Sequence, residues 1–158
     1  MRIGIIGGAT GLAARAKAAG LEPVVRAADA AEAERLRRDG IAAVAEQVEF
    51  LEALEHPRLF FLDVPIGAAV DVTIDEAYVV MEPSDVVIDP TGSYWCDTLR
   101  RFRRMRHRSL YYVDAAEIEG PAGRRIFASG DRKGVELALP ALRRLAAPGT
   151  ATALGEAG

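Results

Sequence analysis

Short apolar runs and helix-like segments take turns along the chain from its first residues, and this alternation constrains the fold more than any other feature. Arg2 to Ile6 reads as a buried strand, Gly7 to Gly11 as a glycine-rich turn, and Leu12 to Ala19 as a helix stopped by Gly20. The pattern then recurs. Strands are expected at Glu22 to Arg26, Ala42 to Ala45, Leu59 to Val64, Val86 to Ile88, Leu110 to Val113 and Arg125 to Ser129. Helices are expected at Ala30 to Arg38, Gln47 to Leu54, Ala68 to Val80, Tyr94 to Arg106 and Lys133 to Leu145. Strands separated by helices pair in parallel through right-handed crossovers, so the expected fold is α/β, a doubly wound, mostly parallel sheet with helices on both faces.

The 158 residues suffice for one substantial core and are too few for two ordinary domains, which sets a single domain over residues 1–147. The remainder, 148–158, is small and polar and is expected to be a loose tail. No apolar run approaches the roughly 20 residues of a membrane span, and no leader-like segment precedes the first strand. A cytoplasmic location is the expectation. Cys96 is the sole cysteine, which excludes an internal disulfide, paired-thiol redox chemistry and a cysteine-based zinc site within one chain. With two histidines, His56 and His107, both in peripheral settings, a histidine metal site or a Ser-His-Asp triad has little support, and no metal is expected.

The first turn, Gly7-Gly8-Ala9-Thr10-Gly11-Leu12, sits where a dinucleotide-binding βαβ unit of the Rossmann type carries three glycines. Two phases are open. Counting from Gly7 puts Ala9 and Leu12 at the second and third glycine positions, with a methyl where phosphate should approach and a leucine between helix and sheet. Counting from Gly8 gives Gly11 and Ala14, similar to the loop of extended short-chain dehydrogenases. A glycine turn that binds nothing fits the same residues. At the end of the second strand, where an acid takes ribose hydroxyls or an arginine takes a 2′-phosphate, the chain has Arg26-Ala27-Ala28, with Asp29 one step late. This disfavours NAD, and Arg26 is either a phosphate contact of NADP(H) or a solvated surface arginine.

From Gly20 through Asp114 the chain resembles the N-terminal NAD(P)-binding domain of the 6-phosphogluconate dehydrogenase and β-hydroxyacid dehydrogenase family. The carrying residues are Val64-Pro65-Ile66-Gly67 with Val70 and Asp71, the run Glu82-Pro83-Ser84-Asp85-Val86-Val87-Ile88-Asp89, then Ser93-Tyr94 with Asp97, Arg100 and Arg101, and Tyr112-Val113-Asp114. Met1 to Gly7 and Gly130-Asp131 fit as well, so the resemblance extends over nearly the whole chain. It implies a cofactor cleft lined by Gly7, Gly8, Ala9, Thr10, Gly11, Arg26, Val64, Pro65, Ile66 and Gly67, and a substrate segment at Thr91, Gly92 and Ser93.

The departures fall at the sites of the family's chemistry. The first helix is about three residues short, close to one turn. The family's Gly-Gly-Asn-Ser segment reads Pro90-Thr91-Gly92-Ser93, so the asparagine amide is lost. The Ser-Gly-Gly turn is replaced by Ala115-Ala116-Glu117-Ile118-Glu119-Gly120, where two carboxylates would repel an anionic sugar acid and disfavour phosphogluconate. The family's catalytic lysine lies beyond the cofactor domain, and no residue here inherits its role.

Glu117, Glu119 and Asp114 make an acid/base group or a solvated acidic loop. The run from Arg100 to Arg108 holds six arginines and His107; Trp95, Leu99 and Phe102 at i, i+4 and i+7 form one apolar stripe, leaving the arginines to the other faces. A net charge of −3 argues against nucleic acid as partner, and the basic helix would meet an acidic surface of a second copy, giving a homodimer or a complex with a partner protein. Three functional readings follow: a stand-alone NADP(H)-binding protein of this family that is not a complete dehydrogenase, a pseudoenzyme serving as a dimerisation or partner-binding module, and a repurposed enzyme of specialised metabolism using Glu117 or Glu119 as acid or base in the former cofactor cleft.

Overall fold

A computed structural model describes residues 1–156, and its elements follow the alternation of the sequence. They are β1 (Arg2–Gly7), α1 (Leu12–Ala18), β2 (Glu22–Arg26), α2 (Ala30–Arg38), β3 (Ala42–Val44), α3 (Gln47–Glu52), β4 (Leu59–Asp63), α4 (Ala68–Val80), β5 (Val86–Asp89), α5 (Trp95–Arg106), β6 (Tyr111–Gly120), β7 (Gly123–Gly130), α6 (Arg132–Leu145) and β8 (Ala151–Gly155). The strands form one sheet in the order β3-β2-β1-β4-β5-β6-β7-β8. The pairs from β3 to β6 are parallel. The first six strands therefore have the 3-2-1-4-5-6 order of a doubly wound dinucleotide fold, with its reversal between β1 and β4.

Two apolar layers hold the helices to the sheet. On one face Leu12, Ala13 and Ala16 of α1, Ala33 of α2 and Val135, Ala138 and Leu142 of α6 pack on Ile3, Ile5, Phe61 and Ile88. On the other, Phe50 of α3, Val70 and Ile74 of α4, and Phe102 and Met105 of α5 pack on Phe60, Leu62 and Val87. The continuous apolar strands β4 and β5 are buried at every residue, as strands covered on both faces must be.

The last third departs from expectation. Instead of short strands at Leu110 to Val113 and Arg125 to Ser129, β6 and β7 form a long antiparallel hairpin, pairing Val113 with Gly130 through to Gly120 with Gly123. Residues 115 to 119, read as an acidic loop, are strand because they pair with 128 to 124 after the chain turns back through Gly120-Pro121-Ala122-Gly123. The segment expected to be a loose tail supplies β8, which runs parallel to β7; Ala157 and Gly158 lie outside the described residues. In α5 the buried residues are Thr98, Arg101, Phe102 and Met105. Trp95, assigned to the apolar stripe, is 65% exposed, and Arg101, assigned to the solvated faces, is 1% exposed. Arg101 finds carboxylates inside, those of Asp71 and Asp89.

At the open end of the hairpin Gly130 packs tightly on β6: its φ is +148° and an added Cβ would lie 2.1 Å from the Tyr112 carbonyl oxygen. Gly130→Ala should lower stability by about 1–3 kcal/mol through forced backbone shifts, measurable as a reduced denaturation midpoint in urea.

Candidate ligand cleft at the carboxyl ends of the strands

The reversal of strand order leaves a crevice beyond the ends of β1 and β4, where open α/β sheets place ligands. Ile6, Gly7, Gly8, Arg26, Glu32, Gln47, Val64, Thr73 and Glu76 are among the residues lining one half, of about 550 Å³. The other half, of about 480 Å³, is bounded by Ala9, Thr10, Arg15, Asp63, Val64, Pro65, Ile66, Pro90, Thr91, Glu117 and Arg124 among others.

Between the halves lies the glycine turn, bound by Asp63 at the end of β4. Its backbone carbonyl accepts from Ala9 N–H at 2.9 Å. One carboxylate oxygen accepts from Thr10 N–H at 2.8 Å and from the Thr10 hydroxyl at 2.6 Å. The other accepts from Leu12 N–H, the first residue of α1, at 3.2 Å. Asp63 is 2% exposed. Gly7 is obligatory because φ is +96° and a Cβ would lie 2.4 Å from the Asp63 carbonyl oxygen. Gly11 caps α1 in the left-handed region. Leu12 does not wedge the helix outward; its side chain is fully buried in the core beneath α1.

In the first half, Arg26 is no free surface arginine. Its Nε donates to Gln47 Oε1 at 3.2 Å and a terminal nitrogen donates to the Ala27 carbonyl. Asp29 caps α2, accepting from Glu32 N–H at 2.8 Å, while Glu32 reaches back to accept from Ala28 N–H at 2.8 Å. Of the turn after β4, Val64 borders both halves and Pro65 and Ile66 border only the second. Gly67 caps α4 at φ +102°.

The turn after β5 is organised by Asp89, which is fully buried. It accepts from Thr91 N–H at 2.9 Å, the Thr91 hydroxyl at 2.6 Å and the Ser93 hydroxyl at 2.8 Å, and also from the Tyr112 hydroxyl. Arg101 lies 3.5 Å from it, donates to Ser93 at 2.7 Å and holds Asp71 at 2.9 and 3.0 Å. That pairing depresses the Asp71 carboxyl well below the usual carboxylate range. Burial, and then the Asp89 charge, push the Tyr112 hydroxyl far upward. Gly92, at φ +74°, has open space where a side chain would be.

The two acidic candidates separate. Glu117 borders the cleft, where burial raises its carboxyl and Arg15 opposes the rise. Arg15 bonds it at 3.0 Å and Arg124 lies 3.3 Å away. Glu119 is 63% exposed and pairs with Arg124 at the hairpin surface. The uncompensated acidic pair expected to repel an anionic substrate is therefore neutralised by two arginines. His56 bonds the Pro83 carbonyl, away from the cleft. Among the described residues no group of three or more His, Cys, Asp or Glu is placed to hold a metal ion, and no helix is long and apolar enough to cross a membrane.

Sequence reasoning missed Asp63, Glu32 and Arg15. The available sign of Asp63 was its position, an acid ending an otherwise apolar strand that must run beside the glycine turn.

Strand order, glycine turn and crevice define a Rossmann domain of the dinucleotide-binding type. Residues 2–155 match the NAD binding domain of 6-phosphogluconate dehydrogenase, and the chain belongs to that family. It is 34% identical over 106 residues to the decarboxylating 6-phosphogluconate dehydrogenase of Bacillus licheniformis, covering 65% of this chain and 23% of the relative. It is 30% identical over 118 residues to the NAD(+)-dependent decarboxylating enzyme of Bacillus subtilis, covering 72% and 25%. The chain thus spans about a quarter of the length of these curated relatives. In fold it is similar to Plasmodium falciparum 6-phosphogluconate dehydrogenase, with a TM-score of 0.82 at 22% identity over 99% of this chain and 37% of that one. A Streptomyces aurantiacus imine reductase gives 0.77 at 20% identity, over 99% and 56%.

The cofactor implied by the family does not fit the turn as it stands. A diphosphate would need N–H donors of the turn that Asp63 already uses, and two like charges about 4 Å apart at an effective dielectric of about 20 repel by roughly 4 kcal/mol.

Asp114, on β6, gives a pH test of the buried end of the sheet. Burial, followed by the Asp89 charge, raises its carboxyl from 3.8 to about 6. The folded state then binds the proton more tightly than the unfolded chain, so stability falls as pH rises from about 4 to about 6 and stays lowered above. Asp114→Asn should raise the melting temperature at pH 8 and leave it nearly unchanged at pH 4.

Proposed function

We propose that this chain is a non-catalytic binding domain of the 6-phosphogluconate dehydrogenase family, acting through assembly rather than hydride transfer. The carrying observation is that Asp63, Asp89 and Glu117, the carboxylates ending β4 and β5 and bordering the cleft from β6, are all committed to internal partners. A general acid or base must reach the reacting atom with a proton to give or a lone pair to use. No lysine or histidine is among the residues lining either half of the cleft. Sustained reduction of NADP+ or NAD+ by the purified chain with 6-phosphogluconate or a small β-hydroxyacid would overturn this reading; the expected rate is that of the buffer blank.

Assembly with a second copy is supported by the outer surface of α3, α4 and α5. Along α4, Ala68, Val72 and Val79 face outward at spacings of one and two helical turns, with Val72 58% and Val79 74% exposed. Glu46, Glu49 and Glu52 lie exposed on one flank without ion pairs among the described residues. On the other flank Arg100 and Arg104 bridge to α4, and exposed Arg103 has no ion-pair partner among those residues. A two-fold axis over α4 would set valine on valine and each acidic flank on the partner's basic one, the self-complementarity an isologous interface requires. Sedimentation at micromolar concentration should give a dimer, and Val72→Glu with Val79→Glu should weaken it about 100-fold or more. A monomeric mass for the unmodified chain would remove the assembly part of the proposal.

NADP(H) is the second reading, favoured by the presence of Arg26 in the first half of the cleft.

A further inference from the structure

We infer that Asp63 is a built-in replacement for the diphosphate of a dinucleotide, so that the cleft takes ligands uncharged where they pass the glycine turn. This inference deepens the reading of the chain as a non-catalytic binding domain and rests on it. An anion at this kind of turn is held by backbone N–H groups and the positive end of the first helix. Here Thr10 N–H, Leu12 N–H and the Thr10 hydroxyl all donate to one side chain of the same protein. The Ala9 N–H is taken by the same residue's carbonyl.

Three features make this an occupied position rather than a passing contact. Asp63 ends a strand buried at every residue, so its backbone is fixed by pairing with β1, Gly7 standing directly opposite. Gly7 packs against its carbonyl so closely that the two strand ends cannot separate without breaking that register. The carboxylate has no arginine or lysine partner among the described residues, and its charge is met by the turn's own donors. Glu32 adds a second deterrent. It borders the same half of the cleft as Arg26 and lies 3.8 Å from where a Cβ of Gly8 would be, placing negative charge where a 2′-phosphate would compete for Arg26.

The test compares the unmodified chain with Asp63→Asn, which keeps the shape and removes the charge, using NADP+, NAD+, inorganic pyrophosphate and adenosine as probes in calorimetry. The unmodified chain should bind neither dinucleotide nor pyrophosphate at millimolar concentration. Asp63→Asn should gain at least ~10-fold in affinity for both, the removal of one like charge being on the order of 1.4 kcal/mol or more. Adenosine, which brings no phosphate, should show the same affinity for both proteins.

Micromolar binding of NADP+ by the unmodified chain would overturn the inference, since Asp63 would then not exclude a diphosphate; the non-catalytic reading would still stand or fall on the turnover assay. A folded Asp63→Asn that still ignores pyrophosphate would also overturn it. Should that variant fail to fold, amide resonances of the unmodified chain decide. Thr10 and Leu12 N–H should be protected from exchange and unmoved by millimolar pyrophosphate, and a pyrophosphate-induced shift at either would overturn the inference.

Discussion

The turn between β1 and α1 and the end of β4 are held as one unit, and the placement of the surrounding elements depends on it. In a parallel sheet neither strand end can be stabilised by a tight hairpin, so the N–H groups that open α1 must find acceptors elsewhere. Asp63 supplies them from the neighbouring strand. This fixes where α1 begins, seats Leu12 in the core, and sets the Val64-Pro65-Ile66-Gly67 turn at the mouth of the crevice. A seven-residue α1 can be short because its first turn is anchored by a side chain instead of by length.

Much of this was legible in the sequence. The β1-turn-α1 opening, the positions of α2 and α4, and the buried character of β4 and β5 all followed from apolar periodicity and glycine stops. What was not legible shares a physical cause: pairing between residues distant in the chain. Periodicity placed Arg101 among solvated arginines because an isolated helix cannot show that Asp71 and Asp89 face it from α4 and β5. Glu117 and Glu119 looked like loop acids because β7, the strand they pair with, lies across a turn. Trp95 satisfied the helical spacing yet stayed outside, the buried face of α5 being Thr98, Arg101, Phe102 and Met105 instead. The altered glycine turn was visible as altered, but what compensated for it was a residue more than fifty positions away.

The buried cluster of Arg101, Asp71, Asp89, Ser93 and Tyr112 has a different standing from the cleft. Replacing such a network by apolar side chains is often neutral for stability, whereas removing a single member strands a buried charge. Its value here is positional: four donors converge on Asp89 and hold the Thr91 to Ser93 turn in one shape, so the second half of the crevice has a rigid floor beside Glu117 and Arg124. The family's scaffold thus persists around a mouth whose charged groups point at one another.

The added strand β8 extends the sheet by a rung whose outer edge pairs with no strand among the described residues. Its sequence, Ala-Thr-Ala-Leu-Gly, carries none of the lysines or prolines that usually discourage edge-to-edge templating. Protection comes instead from geometry. The strand is five residues long, its register against β7 slips between Ala128 and Ser129, and Gly155 turns into the left half of conformational space at φ +123°. An incoming strand would find only a brief, kinked edge, cut short by that slip and by a single glycine at the rim of the sheet.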